Sequence, residues 1–500
     1  MSKQKEITSY LVFVVCSILL GTFQFGYHNG ELNTPQQVIS KCKDKHEIAP
    51  LSAEGTLPIC IPMLDSQYAL VVSMLTGGGL IGALMAAYFN DHFGRRRTLF
   101  STNVVLCVGS LLLTLASSPA GMMIGRFITG IGIGLVTVIV PTYISECVPE
   151  SNRGFFGTLA QLATVVGILV AQVIGLSWST LAKWRLILGM GIVLSVFQMC
   201  LLPFCVDSPR YLASLPGGFN RAKEALLRLR GSSILEVEEE INEWRRNWAN
   251  DSIATNDIET SDDHTFEMVM VEPVEARTTV SMLKFLTSPS FRKPLFLVFL
   301  LQFTQQASGI NAVIFFSTSI MSSIFPDSSD MITVYISIVN LIMTVLSAYL
   351  MDRLGRRFLF LISSVSMAFM AFTLGFSIEN GHNTLSVCAI IGYVAAFAIG
   401  LGPIPFLMMP ELVATPSVSS AAATGLSINM ISNFLVSAGF LSVRNVLGEG
   451  KVFYLFGLLL VLLSVVSYIA LPETKNRNTD EIIRSGYALH PQPYQSLSKS

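Results

Sequence analysis

Asp91-His-Phe-Gly-Arg-Arg-Arg97 and Asp352-Arg-Leu-Gly-Arg-Arg357 are one short phrase written twice, 261 positions apart, each time after an apolar run. Two further pairs recur at nearly that offset. Pro141 and Glu146 answer to Pro405 and Glu411, and Asp207-Ser-Pro-Arg210 answers to Pro472-Glu-Thr-Lys475, acid to acid 265 and 266 positions apart. Three correspondences in one order at nearly one offset predict two homologous halves. Parallel halves around a central site are the architecture of a transporter that rocks between two states.

The surrounding composition says where such halves live. Apolar residues make up 51% of the 500 and charged residues 13%, about half the charged share of a soluble globular protein. Lys and Arg number 32 against 33 Asp and Glu, so no basic surface for nucleic acid dominates the chain. The charges are also uneven, with 26 of the 65 falling between Val206 and Lys293. That pattern excludes a soluble enzyme. It predicts an all-α membrane protein in which runs of roughly 20 apolar residues cross the bilayer. Twelve runs qualify, near 10–33, 67–89, 98–117, 121–144, 155–176, 184–205, 295–322, 330–351, 358–377, 385–409, 419–442 and 451–471.

The expected division is a six-helix half over 1–205, a linker over 206–293, a second six-helix half over 294–471 and a tail over 472–500. The linker is expected to hold short helices, with an amphipathic helical pattern over 220–248, and an acidic, Ser/Thr-rich, disordered stretch over 250–276. Arginines gather in the connections after spans 2, 4, 6 and 8, so the positive-inside rule makes that side and both termini cytoplasmic. The 34–66 loop on the other side holds Cys42 and Cys60, which either pair in an oxidising compartment or remain free thiols.

The acids of the repeat carry more than topology. Asp91, Glu146, Asp207, Asp352, Glu411 and Glu473 sit at matching helix ends beside Arg95, Arg153, Arg210 and Arg356. These groups are expected to pair across the two halves as a cytoplasmic gate that holds one face shut.

Six motifs in order carry a resemblance: Gly94-Arg-Arg-Arg97, Pro141 through Gly154, Asp207-Ser-Pro-Arg-Tyr-Leu212, Gln305-Gln-Ala-Ser-Gly-Ile-Asn311, Gly402-Pro-Ile-Pro405 and Pro472-Glu-Thr-Lys475. Together they resemble the sugar porter family of the major facilitator superfamily, nearest its glucose-transporter-like branch. The stretch Gly26 to Gln36 is similar to a fungal group thought to sit on the vacuolar membrane, with the plasma membrane as the alternative. The resemblance implies the major facilitator fold and transport of a monosaccharide, first a glucose-like hexose, by alternating access. It also implies a substrate site at Gln161, Gln305, Gln306, Asn311, Asn340, Phe406 and Asn429. The side chains suit that cargo, because amides offer donors and an acceptor without charge to a ligand made of hydroxyls. An amide inside a span is costly unless partnered, which makes it a functional candidate. The competing reading is glue between helices. Ser308-Gly309, between the glutamines and Asn311, is a candidate helix break.

The chain departs from the family in places. Phe406 stands where Trp is usual and Ala398 where glucose facilitators often carry an acid. Phe315 and Phe316 replace tyrosines, and Val418 occupies the place of the arginine that usually faces Glu411. His28 stands where proton-coupled members carry Asp, opposite Arg126, with Glu31 one turn on. Histidine changes charge near neutral pH, so His28, Glu31 and Arg126 are candidates for proton coupling. The alternative is a neutral histidine bonded to a neighbouring helix.

No enzymatic chemistry, metal cluster or cofactor motif is expected. The expected partners are a monosaccharide, protons and the lipid bilayer, without nucleic acid, and the chain is expected to be monomeric. A sugar sensor on the same fold and a polyol transporter are the alternatives.

Overall fold

The computed structural model describes residues 8–42, 57–149, 152–231, 237–246, 281–326, 328–414, 417–475, 477 and 479–487. Among them the structure is helical, and twelve segments are long and apolar enough to cross a membrane. The first six are α1 (Ser9–Gly30), α3 (Asp65–Phe93), α4 (Arg95–Thr114), α5 (Pro119–Cys147), α6 (Arg153–Trp178) and α7 (Trp184–Leu201), with the short α2 (Gln36–Lys41) after α1. Between the two groups lie α8 (Pro209–Ser214), α9 (Phe219–Arg230), α10 (237–246) and α11 (Met282–Thr287). The last six spans are α12 (Arg292–Ala307) with α13 (Ile310–Ser322), α14 (Ser329–Leu354), α15 (Arg356–Glu379), α16 (Asn383–Ile399) with α17 (Ile404–Met408), α18 (Val418–Leu447) and α19 (Glu449–Ala470). The short α20 (Thr479–Arg484) follows. The protein is a multi-pass integral membrane protein. Twelve crossings return the chain to the face it started from, the termini face.

Lipid tails are as apolar as a leucine core, so helices in a bilayer associate by close packing rather than by escaping water. The glycine runs serve that packing. A Cβ on Gly78 would lie 2.0 Å from the Phe127 carbonyl oxygen, and one on Gly134 would lie 2.0 Å from that of Gly79. α3 and α5 therefore touch backbone to backbone. Contacts across the two groups run along α3 with α18 and α6 with α14.

Two spans are not continuous. Span 7 breaks at Ser308-Gly309, where Gly309 takes φ +79°. Span 10, read from sequence as one run over 385–409, stops at Ile399 and restarts at Ile404. Pro403 and Pro405 lack the N–H groups that would continue the ladder. The described part of the linker is made of short helices. Gly231, at φ +57°, ends α9, and α10 folds back onto it through Leu226, Val237 and Ile241. Arg230 and Glu240 close that hairpin at 3.1 Å. The acidic 250–276 stretch lies outside the described residues.

Links between the two groups gather toward the face opposite the termini. Asn33 Nδ2 donates to the Ile314 carbonyl at 2.8 Å and to Ser317 Oγ at 2.7 Å, while Asn33 Oδ1 accepts from the Thr318 N–H at 3.1 Å. Gln37 donates to Ser322 Oγ at 2.8 Å, and Ser337 bonds Gln172. Arg444 Nη2 stands 3.7 Å from Asp65 Oδ2. Cys42 and Cys60 form a disulfide at this face. It ties the end of α2 to the segment entering α3, alongside the bonds from Ile61 N–H to Ile39 O and from Met63 N–H to Ser40 O.

Candidate functional site

The break in span 7 brings side chains from both of its pieces to one place. Gln302, Gln305 and Gln306 occupy one face of α12, at the i, i+3, i+4 spacing of helical neighbours. Asn311 follows in α13 and Asn429 comes from α18. Asn429 Nδ2 donates to Gln302 Oε1 at 2.7 Å and to Gln305 Oε1 at 2.6 Å. Gln306 Nε2 donates to Asn429 Oδ1 at 3.0 Å, and Asn311 Nδ2 donates to Gln306 Oε1 at 2.6 Å. Gln305 Nε2 reaches the Leu401 and Gly402 carbonyls at 2.9 and 2.7 Å, oxygens left open by the gap in span 10. Gln302 Nε2 reaches the Pro405 carbonyl at 3.2 Å. The result is an uncharged network of donors and acceptors joining spans 7, 10 and 11 deep in the bundle.

The other expected site residues make no hydrogen bond to this network among the described residues. Asn340 on α14 is buried, while Gln161 on α6 and Phe406 on α17 are exposed. The network does not include Gln161. Gln302 was missed from the sequence, although its helical spacing to Gln305 and Gln306 was the available signal. A second amide cluster was also missed. Gln24 Nε2 donates to Asn103 Oδ1 at 3.0 Å and to Gln198 Oε1 at 2.7 Å, while Gln24 Oε1 accepts from Ser195 Oγ at 2.8 Å. All four are fully buried between spans 1, 3 and 6. This cluster links three spans of one six-span group.

His28, Glu31 and Arg126 meet without any solvent exposure. Arg126 Nη1 donates to Glu31 Oε1 at 2.6 Å and to the His28 carbonyl at 2.8 Å, and His28 Nδ1 lies 3.1 Å from both Glu31 oxygens. Among the described residues, the histidine side chain therefore bonds to Glu31, the residue that caps its own helix, and not to a neighbouring helix. His28 Nε2, Arg126 Nε and Arg126 Nη2 have no hydrogen-bond partner among the described residues.

The repeated motifs at the termini face differ from the expectation in one respect. Arg95 Nε lies 2.8 Å from Glu146 Oε2, and Arg356 Nε lies 3.5 Å from Glu411 Oε1. Both pairs stay inside one six-span group and do not cross between the two. Each arginine opens a helix beside the glutamate that closes a neighbouring span of the same group. The acids after spans 6 and 12 cap those same helices. Asp207 Oδ1 accepts from the N–H groups of Arg95 and Arg96, each at 3.1 Å, and Glu473 Oε1 accepts from that of Arg356 at 3.1 Å. A carboxylate at a helix N-terminus satisfies donors that the helix cannot. Arg210 lies over the Trp244 ring at 5.7 Å, and Asp91 is exposed. The side chains of Arg153 and Asp352 lie outside the described residues.

Twelve spans, two of them broken beside a buried, uncharged network, define a secondary transporter. Residues 13–485 match the family described as "Sugar (and other) transporter", and the chain belongs to that family. It is 34% identical over 491 residues to the human solute carrier family 2 facilitated glucose transporter member 4, covering 96% of this chain and 91% of that one. It is 31% identical over 487 residues to a probable metabolite transport protein of Saccharomyces cerevisiae, covering 96% of each. The inward-open xylose transporter XylE from E. coli shares the fold, with TM-score 0.74 and 20% identity over 95% of this chain and 100% of that one.

Proposed function

We propose that the protein carries a monosaccharide, first a glucose-like hexose, across a membrane by alternating access. The observation that carries this reading is the network of Gln302, Gln305, Gln306, Asn311 and Asn429 at two broken spans. It offers paired donors and acceptors and no charge, the chemistry that sugar hydroxyls require. Phe406 supplies an exposed ring beside the span 10 gap for the apolar face of the sugar. On this reading Gln161 and Asn340 add amides from spans 5 and 8. The two six-span halves move against each other over the 206–293 linker. The pairs around Arg95 and Arg356 stiffen each half at the termini face.

A second reading concerns the driving force. The side chains of the His28–Glu31–Arg126 group are ionisable and completely buried, and an intramembrane ionisable group is a candidate for proton movement. On this reading transport is proton-coupled, and without it transport is facilitative. The positive-inside pattern supports cytoplasmic termini, and the likeness of Gly26 to Gln36 to fungal proteins supports the vacuolar membrane. The chain works as a monomer on this reading.

The test is uptake and counterflow of labelled D-glucose, a pentose and a polyol in vesicles containing the purified chain, with and without a proton gradient. Saturable exchange of a sugar supports the proposal, and binding without exchange would indicate a sensor. Uptake of the polyol alone would follow from Ala398 and Phe406 standing where glucose facilitators carry an acid and Trp. Identical pH profiles for wild type and His28→Asn would remove the proton reading.

A further inference from the structure

The break in span 7 exposes a backbone group that needs a partner. α12 ends at Ala307 and α13 begins at Ile310. The Ser308 N–H donates to Thr304 O at 3.1 Å, and the Val313 N–H donates to Gly309 O at 3.3 Å. The Ser308 carbonyl falls between the two ladders. At membrane depth irregular backbone persists only where it is buried in protein or lines a water-filled cavity, and Ser308 is fully buried, so its carbonyl needs a protein donor.

The donor is the hydroxyl of Tyr393 on α16. Its side chain is fully buried and meets Phe453 edge to face at 6.5 Å. Phe456 on α19 closes the other side of the break, where a Cβ on Gly309 would lie 2.6 Å from its ring. Ser308 Oγ turns back to the Gln305 carbonyl at 2.6 Å. Span 10 thus holds span 7 at two points, through Leu401 and Gly402 on Gln305 and through Tyr393 on Ser308. Gln306 lies between those points, and Asn311 lies just past the second.

We propose that Tyr393 is a positioning residue for sugar binding. Its hydroxyl sets the angle between α12 and α13, and so fixes Gln306 against Asn311. The inference rests on the sugar reading above. A phenylalanine would fill the same volume and keep the ring contacts, so only the hydroxyl distinguishes the two. Without it, the Ser308 carbonyl is buried unpaired, and the break relaxes toward a geometry that rejoins the ladder. Asn311 then rotates relative to Gln306.

The experiment measures zero-trans uptake of labelled D-glucose by the full-length chain in vesicles, together with the melting temperature of the ligand-free protein. Tyr393→Phe is expected to raise the half-saturating concentration about five- to tenfold, the equivalent of one lost hydrogen bond, with the maximal rate within about twofold. Gly309→Ala, which strains the same break, is expected to shift half-saturation in the same direction. The double variant should lose no more than the worse single, because both act through one geometry. A lower melting temperature with unchanged half-saturation would mean a merely structural hydroxyl and would overturn the proposal, as would fully additive shifts. A wild type that takes up no sugar would instead sink the sugar reading and this inference with it.

Discussion

Arg126 is a fully buried guanidinium whose paired acid is Glu31, held at 2.6 Å. Removing one partner of a buried ion pair leaves the other charge uncompensated, at a cost of about 3–5 kcal/mol. His28 adds a hydrogen bond to the same carboxylate, and Asn in its place keeps a donor. We therefore expect Glu31→Ala to lower the melting temperature and the folded yield far more than His28→Asn. Equal losses in detergent-solubilised protein would show that Glu31 does not compensate Arg126. At this scale the sequence was partly legible. His28, Glu31 and Arg126 stood out because charged residues are rare in spans, and the order of the motifs picked out Gln305, Gln306, Asn311 and Asn429. Gln302, Gln24, Asn103 and Gln198 were missed because polarity inside a span does not separate a substrate site from helix glue. That distinction depends on which helices meet, and only the folded chain provides it.

At the scale of elements, the repeated Asp-x-x-Gly-Arg-Arg phrase was legible as a repeat but not as a piece of geometry. Gly94 adopts φ +80° with ψ 169°, and Gly355 adopts φ +92° with ψ 155°, a region open almost solely to glycine. A Cβ on Gly94 would lie 2.8 Å from Asp207 Oδ2, and one on Gly355 would lie 2.8 Å from Glu473 Oε2. Each glycine turns one span into the next and leaves room for the carboxylate that caps the second. Gly94→Ala and Gly355→Ala should each cost about 1–3 kcal/mol from backbone strain, with a further loss as the cap is displaced. Thermal unfolding checks this, and a change of less than a degree in both would contradict the capping role. The break in span 7 was legible from Ser308-Gly309. The break in span 10 was hidden because Ile399 to Met409 is apolar throughout, and hydropathy cannot see a missing N–H. The Cys42–Cys60 bridge was left open because spacing alone does not say whether two thiols meet.

For the whole molecule, the two groups meet most firmly at the face opposite the termini, and two kinds of contact hold them there. One is the ion pair of Asp65 with Arg444, which also lies 3.9 Å from Glu449 in its own group and 3.2 Å from Ser319 Oγ. The other is Asn33, fully buried and bonded three times to α13. Partly exposed ion pairs contribute about 0–1 kcal/mol. Removing a buried amide strands its partners at about 1–3 kcal/mol. Arg444 also keeps Glu449 and Ser319 when the groups part, so losing Asp65 costs it little. Asn33 instead makes its three bonds to α13 from a fully buried position. The amide, not the charge, should therefore set how often this face opens. Asn33→Ala is expected to raise the rate at which a membrane-impermeant thiol reagent modifies a Ser322→Cys reporter by about tenfold, in line with a shift of 1–2 kcal/mol in a two-state equilibrium. Asp65→Asn should raise it less than about threefold, and that small effect should fade further in high salt. A larger, salt-sensitive opening in Asp65→Asn than in Asn33→Ala would reverse the ranking and make the charge pair the latch.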